Sequence, residues 1–166
     1  PMCVVKADAY GHSAEICVPA LFAAGARHFA VSSIEEAEQI YEILDAKNCV
    51  AKSILILGYT PAEYENVKLL ARHKITQAVY SLEYAKALSD SLCALRESGV
   101  LGGEDIIRCH IKLDSGMNRL GFDTHAEAAE GTVREICAVA ELPGIRIDGI
   151  FSHFACADEG DIAMSK

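Results

Sequence analysis

The sequence predicts an α/β protein built on a parallel β-sheet. Apolar runs of strand length recur along the chain, and segments with helical spacing separate them. These runs are continuous instead of alternating between apolar and polar residues, which is typical of strands covered on both faces. Strands that alternate with helices in this way favour parallel pairing through right-handed crossovers.

The apolar runs predict six strands. They are Met2 to Ala7, His28 to Val31, Ser53 to Leu57, Ile75 to Tyr80, Ile106 to Leu113 and Ile145 to Phe151.

Five helices are predicted between and after these strands. Ser33 begins a capping box with Glu36, and Thr60-Pro61 would supply a capping residue with proline at the first helical position. Ser81 would cap the longest helix, which Gly99 closes. The expected helical segments are Ala14 to Ala24, Ala37 to Ala46, the one that Thr60 opens, Ser81 to Ser98, and about His125 to Ala140.

Two architectures fit this order: an open doubly wound sheet, or part of an eight-stranded barrel. A complete (β/α)8 barrel has about 250 residues. The 166 residues of this chain would therefore hold about six of eight βα units. The chain begins at Pro1, almost directly with a strand, so we expect it to be part of a longer protein.

Composition excludes several classes of protein. Apolar residues make up 51% and charged residues 23%, which is ordinary for a folded globular protein. The net charge of −9 disfavours nucleic acid as a partner, and no apolar stretch approaches the roughly 20 residues that span a bilayer.

The seven cysteines contain no C-x-x-C pair, so zinc is not expected. Several of them, Cys17, Cys93, Cys109 and Cys137, lie in apolar periodic runs and are expected to be buried, reduced thiols, which favours the cytoplasm.

Lys6 ends the first apolar run. Because an ammonium group is strongly hydrated, a lysine brought into a dry place by Met2, Cys3, Val4 and Val5 needs a chemical reason to be there. A neutral amine at this position is what a Schiff base with pyridoxal phosphate requires. A single lysine at a strand end is more often a surface residue that buries its aliphatic chain and keeps its amine in water.

Polar side chains also follow two later strands. Lys112 to Arg119 come at the end of the fifth strand, and Ser152-His153 at the end of the sixth. In a barrel the chemistry collects at the carboxyl ends of the strands, so these groups and Lys6 would share one face.

Three segments carry a resemblance to the alanine racemases. Val4 to His12 (VVKADAYGH) resembles the segment that attaches pyridoxal phosphate in this family. His110 to Phe122 (HIKLDSGMNRLGF) and Gly149 to Asp158 (GIFSHFACAD) resemble its second and third signatures. The resemblance implies an incomplete (β/α)8 TIM barrel over residues 1–166, with the remaining strands and a C-terminal β-domain absent.

The resemblance also implies roles for five residues. Lys6 would hold pyridoxal 5′-phosphate and act as one catalytic base, and Tyr10 would bind the cofactor phosphate. Arg119 would contact the cofactor's phenolic oxygen and the substrate carboxylate, and His153 would lie against the pyridine ring. Lys112 would be the lysine that carries a carbamate in many relatives, where it holds the arginine in place.

The implied activity is interconversion of L- and D-alanine in a homodimer, with the opposite base supplied by the partner subunit. This chain alone would then be inactive. Alternatives are a racemase of serine or another small amino acid, a different enzyme of the same cofactor class such as a decarboxylase, and a cofactor-binding barrel domain without activity. Ser13 departs from the family, which usually has glycine there.

Other polar residues have plainer interpretations. His12 and His110 are expected to be structural, and Asp158, Glu159 and Asp161 to form a solvated acidic face. A metal site of His153 with Asp158 is an alternative that we do not favour.

Overall fold

The computed structural model describes residues 1–155 of the chain. It is an α/β structure whose strands are β1 (Met2–Val4), β2 (His28–Val31), β3 (Ser53–Ile56), β4 (Thr76–Val79), β5 (Ile107–Asp114), β6 (Phe122–Asp123) and β7 (Ile145–Ser152). Its helical segments are α1 (Lys6–Gly11), α2 (Ala14–Ala23), α3 (Ile34–Asp45), α4 (Tyr64–Arg72), α5 (Leu82–Glu97) and α6 (Ala129–Ala140). The sequence anticipated the six long strands, whereas the two-residue β6 was not predicted.

All strands pair in parallel, as predicted. Strands β1 to β5 lie side by side in chain order, and β5 pairs with both the short β6 and β7. Parallel pairing brings the carboxyl ends of all strands to one edge, where the loops after β1, β5 and β7 emerge.

Burial differs between the middle strands of the sheet and β1. The face that the helices cover holds a continuous apolar core, with Phe29, Ile56, Val79 and Ile111 at most 1% exposed. On the first strand, by contrast, Met2 and Val4 are 37% and 42% exposed, while Val5 is buried. The apolar run before Lys6 is therefore covered on one face only, and the expectation of a wholly dry strand was wrong.

Serine caps at two helices are confirmed. The Ser33 side chain accepts a hydrogen bond from the Glu36 backbone N–H, and Ser81 does the same for Tyr84. Helix α5 begins as predicted, whereas α3 begins at Ile34, directly after its cap and three residues before the predicted Ala37.

The fourth helix begins later than predicted, at Tyr64, with Glu63 as its N-cap. Thr60 is fully buried, and its carbonyl accepts a hydrogen bond from the Tyr84 hydroxyl at 2.6 Å. Because this tertiary contact holds the backbone of Thr60 away from the helix start, Thr60 does not cap α4 as predicted.

The sixth helix is also shorter than predicted, because His125 lies in a turn before it. The carboxylate of Asp123 accepts a hydrogen bond from the His125 backbone N–H at 2.9 Å, and the Asp123 carbonyl accepts one from the Thr132 hydroxyl at 2.6 Å. These bonds fix the loop, and α6 starts at Ala129.

The six cysteines among residues 1–155 are all free thiols, and their burial differs from the prediction in part. Cys109 is buried, which raises the pKa of its thiol to about 12. Cys17 and Cys93 are half-buried, and Cys137 is exposed, so the expectation of burial was wrong for Cys137. Cys156 lies outside the described residues, as do Asp158, Glu159 and Asp161.

Candidate active site

The candidate site residues follow three strands at the same edge of the sheet. Lys6 comes two residues after the end of β1, Lys112 lies near the end of β5, and His153 directly follows β7. Strands β1 and β7 are far apart in the order of the open sheet, and no hydrogen bond or ion pair within residues 1–155 joins Lys6 to His153. The topology thus places these groups on one side without direct contact between them.

Lys6 opens an unusual backbone segment. Ala7, Asp8, Ala9 and Tyr10 have φ angles of 49°, 52°, 53° and 57°, so α1 is a left-handed helical turn. Each residue with a Cβ costs about 1–2 kcal/mol in this conformation. Strained backbone of this kind clusters at functional sites, where surrounding contacts hold it in place.

Glu36 supplies part of that hold. One oxygen of its carboxylate accepts a hydrogen bond from the Ala7 backbone N–H at 2.9 Å, and the other accepts one from Ser32 at 2.7 Å. Sequence reasoning identified Glu36 only as a capping-box residue. Its side chain instead connects the start of α3 to the segment that carries Lys6.

Asp8 and Ser13 complete the turn. The Asp8 carboxylate accepts a hydrogen bond from the Ala14 backbone N–H at 2.7 Å, which ties the turn to the first residue of α2. Ser13 has φ 67°, a conformation that favours glycine. This backbone angle gives a physical reason for the glycine that the family usually has there.

Lys6 and Tyr10 differ in exposure. Lys6 is half-buried, while Tyr10 is 59% exposed. Within residues 1–155 neither side chain makes a hydrogen bond, so the amine and the hydroxyl are both available to a ligand.

Lys112 is the buried cation of the site, at 4% exposure. Burial, followed by the nearby charge of Arg119, lowers the pKa of its amine, and Asp114 opposes this effect. Its Nζ atom lies 5.9 Å from the centre of the Phe151 ring on the neighbouring strand. Lys112 is thereby shifted toward the neutral amine.

Asp114 organises the loop that carries Arg119. Its carboxylate accepts hydrogen bonds from the backbone N–H groups of Gly116, Asn118 and Arg119 at 3.0–3.1 Å. Burial alone would raise the pKa of Asp114, but these three donors and Lys112 together lower it. The Arg119 side chain is exposed and makes no ion pair within residues 1–155.

His153 is exposed and follows a well-held strand end. The Ser152 hydroxyl lies 2.5 Å from the Ser115 hydroxyl and donates to the Leu113 carbonyl at 3.1 Å. These contacts fix β7 to the loop after β5 just before His153. Asp158, the alternative metal partner of His153, lies outside the described residues.

His110 lies beside a bulge in β7. Cys109 pairs with Ile147 but His110 pairs with Gly149, so Asp148 is an extra residue between them. Burial lowers the pKa of His110, and the Asp148 carboxylate opposes that effect. His110 thus has the structural position that the sequence analysis expected, directly against Gly149.

The chemistry of these groups suits an anionic, aldehyde-bearing ligand. An amine at Lys6, a hydroxyl at Tyr10 and a guanidinium at Arg119 can bind a carbonyl carbon, a phosphate and a carboxylate respectively. Residues 1–155 contain no group of three or more His, Cys, Asp or Glu side chains placed to hold a metal ion. In the same part of the chain, no helix has both the length and the apolar character needed to cross a membrane.

Comparison with known proteins gives one consistent result. The family described as "Alanine racemase, N-terminal domain" matches residues 1–166. The alanine racemase of Clostridium perfringens (strain SM101 / Type A) is 41% identical over 159 residues, which are 95% of this chain and 36% of that protein. The serine/alanine racemase of Enterococcus gallinarum is 37% identical over 157 residues, 95% of this chain and 19% of that protein.

Solved structures agree with these matches. The alanine racemase of Clostridium difficile 630 in complex with cycloserine has a TM-score of 0.78 at 34% identity, covering 96% of this chain and 39% of that one. The chain thus spans less than two fifths of the length of these two alanine racemases.

Proposed function

Because the chain belongs to the alanine racemase family through the N-terminal domain, we propose that the protein carrying it is a pyridoxal-phosphate-dependent racemase that interconverts L- and D-alanine. The main support is the placement of the three signature segments. Each includes the carboxyl end of a different parallel strand, and these ends lie at the same edge of the sheet. This edge is where barrel enzymes place their chemistry.

Lys6 is proposed to hold the cofactor covalently and to act as the base on one face of the substrate. The residues fit this group, since the Lys6 amine is half-buried and has no hydrogen-bond partner within residues 1–155. When bound, the cofactor draws electrons from the substrate Cα and makes its proton removable. Lys6 would then remove a proton from Cα or return one to it.

Tyr10 and Arg119 are proposed to bind the anionic parts of cofactor and substrate. The Tyr10 hydroxyl would donate to the cofactor phosphate, from a turn whose backbone is held by Asp8 and Glu36. The Arg119 guanidinium would donate to the cofactor's phenolic oxygen and to the substrate carboxylate. His153 would lie against the pyridine ring and orient its neighbours.

Lys112 is proposed to carry a carbamate. A neutral amine can add to CO₂, with loss of one proton, to give an anionic carbamate. Burial and the neighbouring Arg119 lower the pKa of Lys112, which favours the neutral amine. The carbamate would pair with Arg119 and fix its direction, so Lys112 would be a positioning residue.

Racemisation needs a second base on the opposite face of the substrate. We propose that a partner subunit supplies this base, in a cytoplasmic homodimer, and that residues 1–166 alone are inactive. The second candidate function is a racemase that also takes serine. The similarity to the serine/alanine racemase of Enterococcus gallinarum favours this candidate over other amino acids.

The test is reductive trapping of the cofactor in the full-length protein. We expect visible absorbance that borohydride abolishes, with the label on the peptide that contains Lys6. The Lys6→Ala variant should lose both signals, and Lys86→Ala, which removes an exposed lysine on α5, should keep them. A label on another lysine, or none, would contradict the proposal and favour a domain without this activity.

The substrate is decided by comparing turnover of L-alanine and L-serine by the same holoenzyme. Racemisation of alanine at the higher kcat/KM supports the first candidate, and comparable values for serine support the second. A labelled protein that racemises neither amino acid would overturn the proposed activity while keeping the cofactor assignment.

A further inference from the structure

A cavity of about 410 Å³ lies at the opposite edge of the sheet from the candidate active site. It is formed where β3 and β5 begin and where helices α3 and α4 end. Its size falls within the range of about 300–1,000 Å³ that is typical of small-molecule sites. None of the proposed catalytic or cofactor-binding residues lines it.

Four cationic side chains line this cavity: Lys52, Arg72, Lys74 and Arg108. They are four of the 15 lysines and arginines in a chain whose net charge is −9. In a molecule that is acidic overall, such a concentration of cations in a concave surface attracts anions selectively.

These cations are poorly neutralised by the protein. Among residues 1–155, no carboxylate oxygen lies within 4.0 Å of the side-chain nitrogens of Lys52, Arg72 or Lys74. The Nε atom of Arg108 lies 4.0 Å from Asp148, at the limit of an ion pair. Asp45 is the one acidic residue in the lining.

His73 adds an unpartnered buried polar atom. Its Nδ1 is inaccessible to solvent and has no hydrogen-bond partner in the described part of the chain. Its ring packs edge-on against Tyr41, with the ring centres 4.0 Å apart. Tyr41 and His73 together form an aromatic part of the cavity lining.

We propose that this cavity binds a small organic phosphate, with the phosphate among the four cations and the organic part against Tyr41 and His73. Two arginines offer paired donors for phosphate oxygens, and two lysines add point charges. Tyr41 and His73 offer an aromatic wall beside them. This site is separate from the proposed cofactor site and does not depend on the proposed racemase activity.

A simpler role for Arg72 and Lys74 is to neutralise the carbonyl end of α4, where cations are favourable. Arg72 does donate to the carbonyl of Val100 at 3.1 Å, outside that helix. The helix-end role does not explain Lys52, which directly precedes β3, or Arg108, which lies on β5.

The test is a titration of the full-length holoenzyme with phenyl phosphate and with inorganic phosphate, at constant ionic strength maintained with chloride. Holoenzyme is used so that the cofactor site is already occupied. We follow binding by calorimetry and by the NMR signals of His73 and His153. The expected result is saturable binding that shifts His73 and leaves His153 unchanged, with phenyl phosphate bound at least about threefold more tightly.

Lysine variants locate the bound phosphate. Lys52→Ala and Lys74→Ala should each weaken phenyl phosphate binding about fivefold, and the double variant about twentyfold or more. Lys86→Ala removes the same charge from α5, outside the cavity, where the lysine is exposed as Lys52 and Lys74 are, and should change the affinity less than twofold. Circular dichroism verifies that each variant is folded.

Three results would overturn the proposal. One is a His73 signal that responds equally to chloride and phosphate, which shows general screening. Another is saturable binding that shifts His153 instead of His73. The third is an equal loss of affinity in Lys52→Ala and Lys86→Ala. The wild-type His73 titration decides the question even if a variant fails to fold.

Discussion

The segments that follow β1 and β5, next to Lys6 and Lys112, reach unusual backbone conformations by different means. In the segment after β5, positive φ angles fall on Gly116, Asn118 and Gly121, residue types that adopt them at low cost. In the segment after β1, only Gly11 is of such a type, and positive φ angles also fall on the four preceding residues, Ala7 to Tyr10, and on Ser13. One segment is shaped by its own residue types, and the other must be held by contacts from elsewhere.

Lys112 and Lys6 are also held in place by different kinds of contact. Lys112 lies on an interior strand, paired on both sides by β4 and β7, and is buried. Lys6 follows β1, which within residues 1–155 pairs with β2 alone, and the turn after it is tied down by Glu36 and Asp8. Replacing glycines should therefore destabilise the segment after β5 most, and removing distant contacts should destabilise the segment after β1 most.

The largest effect is expected from Gly121→Ala. A Cβ at this position would lie 2.5 Å from the Asp114 backbone nitrogen and 2.7 Å from the Leu113 carbonyl carbon, with φ at 144°. Backbone atoms of an interior strand cannot move aside, so we expect a loss of about 3–5 kcal/mol in unfolding free energy. Urea denaturation of both proteins measures this loss.

Gly131→Ala is the matched control, because the same methyl group meets open space near the start of α6. It should leave stability unchanged or raise it by up to about 1 kcal/mol, since alanine favours a helix more than glycine does. Equal effects of the two substitutions would show that the segment after β5 does not depend on its glycines.

The sequence predicted the strands and two helix caps well, because those features depend on local pattern. Continuous apolar runs identify the strands, and Ser33 and Ser81 cap helices through bonds to residues three positions later. The predicted cap at Thr60 was wrong because Tyr84, 24 residues away, binds the Thr60 backbone. Contacts at that separation leave no local signal.

In the candidate site, too, features set by local sequence were predicted and those set by distant contacts were not. The motif around Lys112 indicates a loop with glycines, and the structure contains one organised by Asp114. The left-handed turn after Lys6 was not predicted, because its residues are ordinary non-glycine types whose positive φ angles depend on Glu36, 29 residues from Ala7. The sequence gives no local signal that the Glu36 side chain, expected to cap its own helix, binds the backbone of Ala7.

Glu36→Ala tests the contact dependence of the segment after β1. The substitution leaves the backbone N–H groups of Ala7 and Ser32 without their carboxylate partner, and we expect a loss of about 1–2 kcal/mol in unfolding free energy. Hydrogen exchange should speed up at Ala7 more than at Lys112. Glu38→Ala, also on α3 and without such bonds, should cost less than about 0.5 kcal/mol. Equal exchange at Ala7 in both variants would refute the role of Glu36.

The smallest effect is expected from Asp114→Asn, and its pH dependence is more informative than its size. Asparagine keeps one acceptor oxygen for the three backbone donors, so at neutral pH the loss should be about 1 kcal/mol. The fold lowers the pKa of Asp114 from its ordinary 3.8, so the carboxylate stabilises the native state above that pH. This contribution disappears as the pH falls through the lower native value.

The stability difference between wild type and Asp114→Asn should therefore shrink as the pH falls below about 4. Asp123 and Asp148 also have lowered pKa values, but they are present in both proteins and cancel in the difference. Chemical denaturation at pH 7 and at several acidic values measures this difference. A constant difference across the series would mean that the charge of Asp114 does not hold the loop, and that glycine geometry alone shapes the segment after β5.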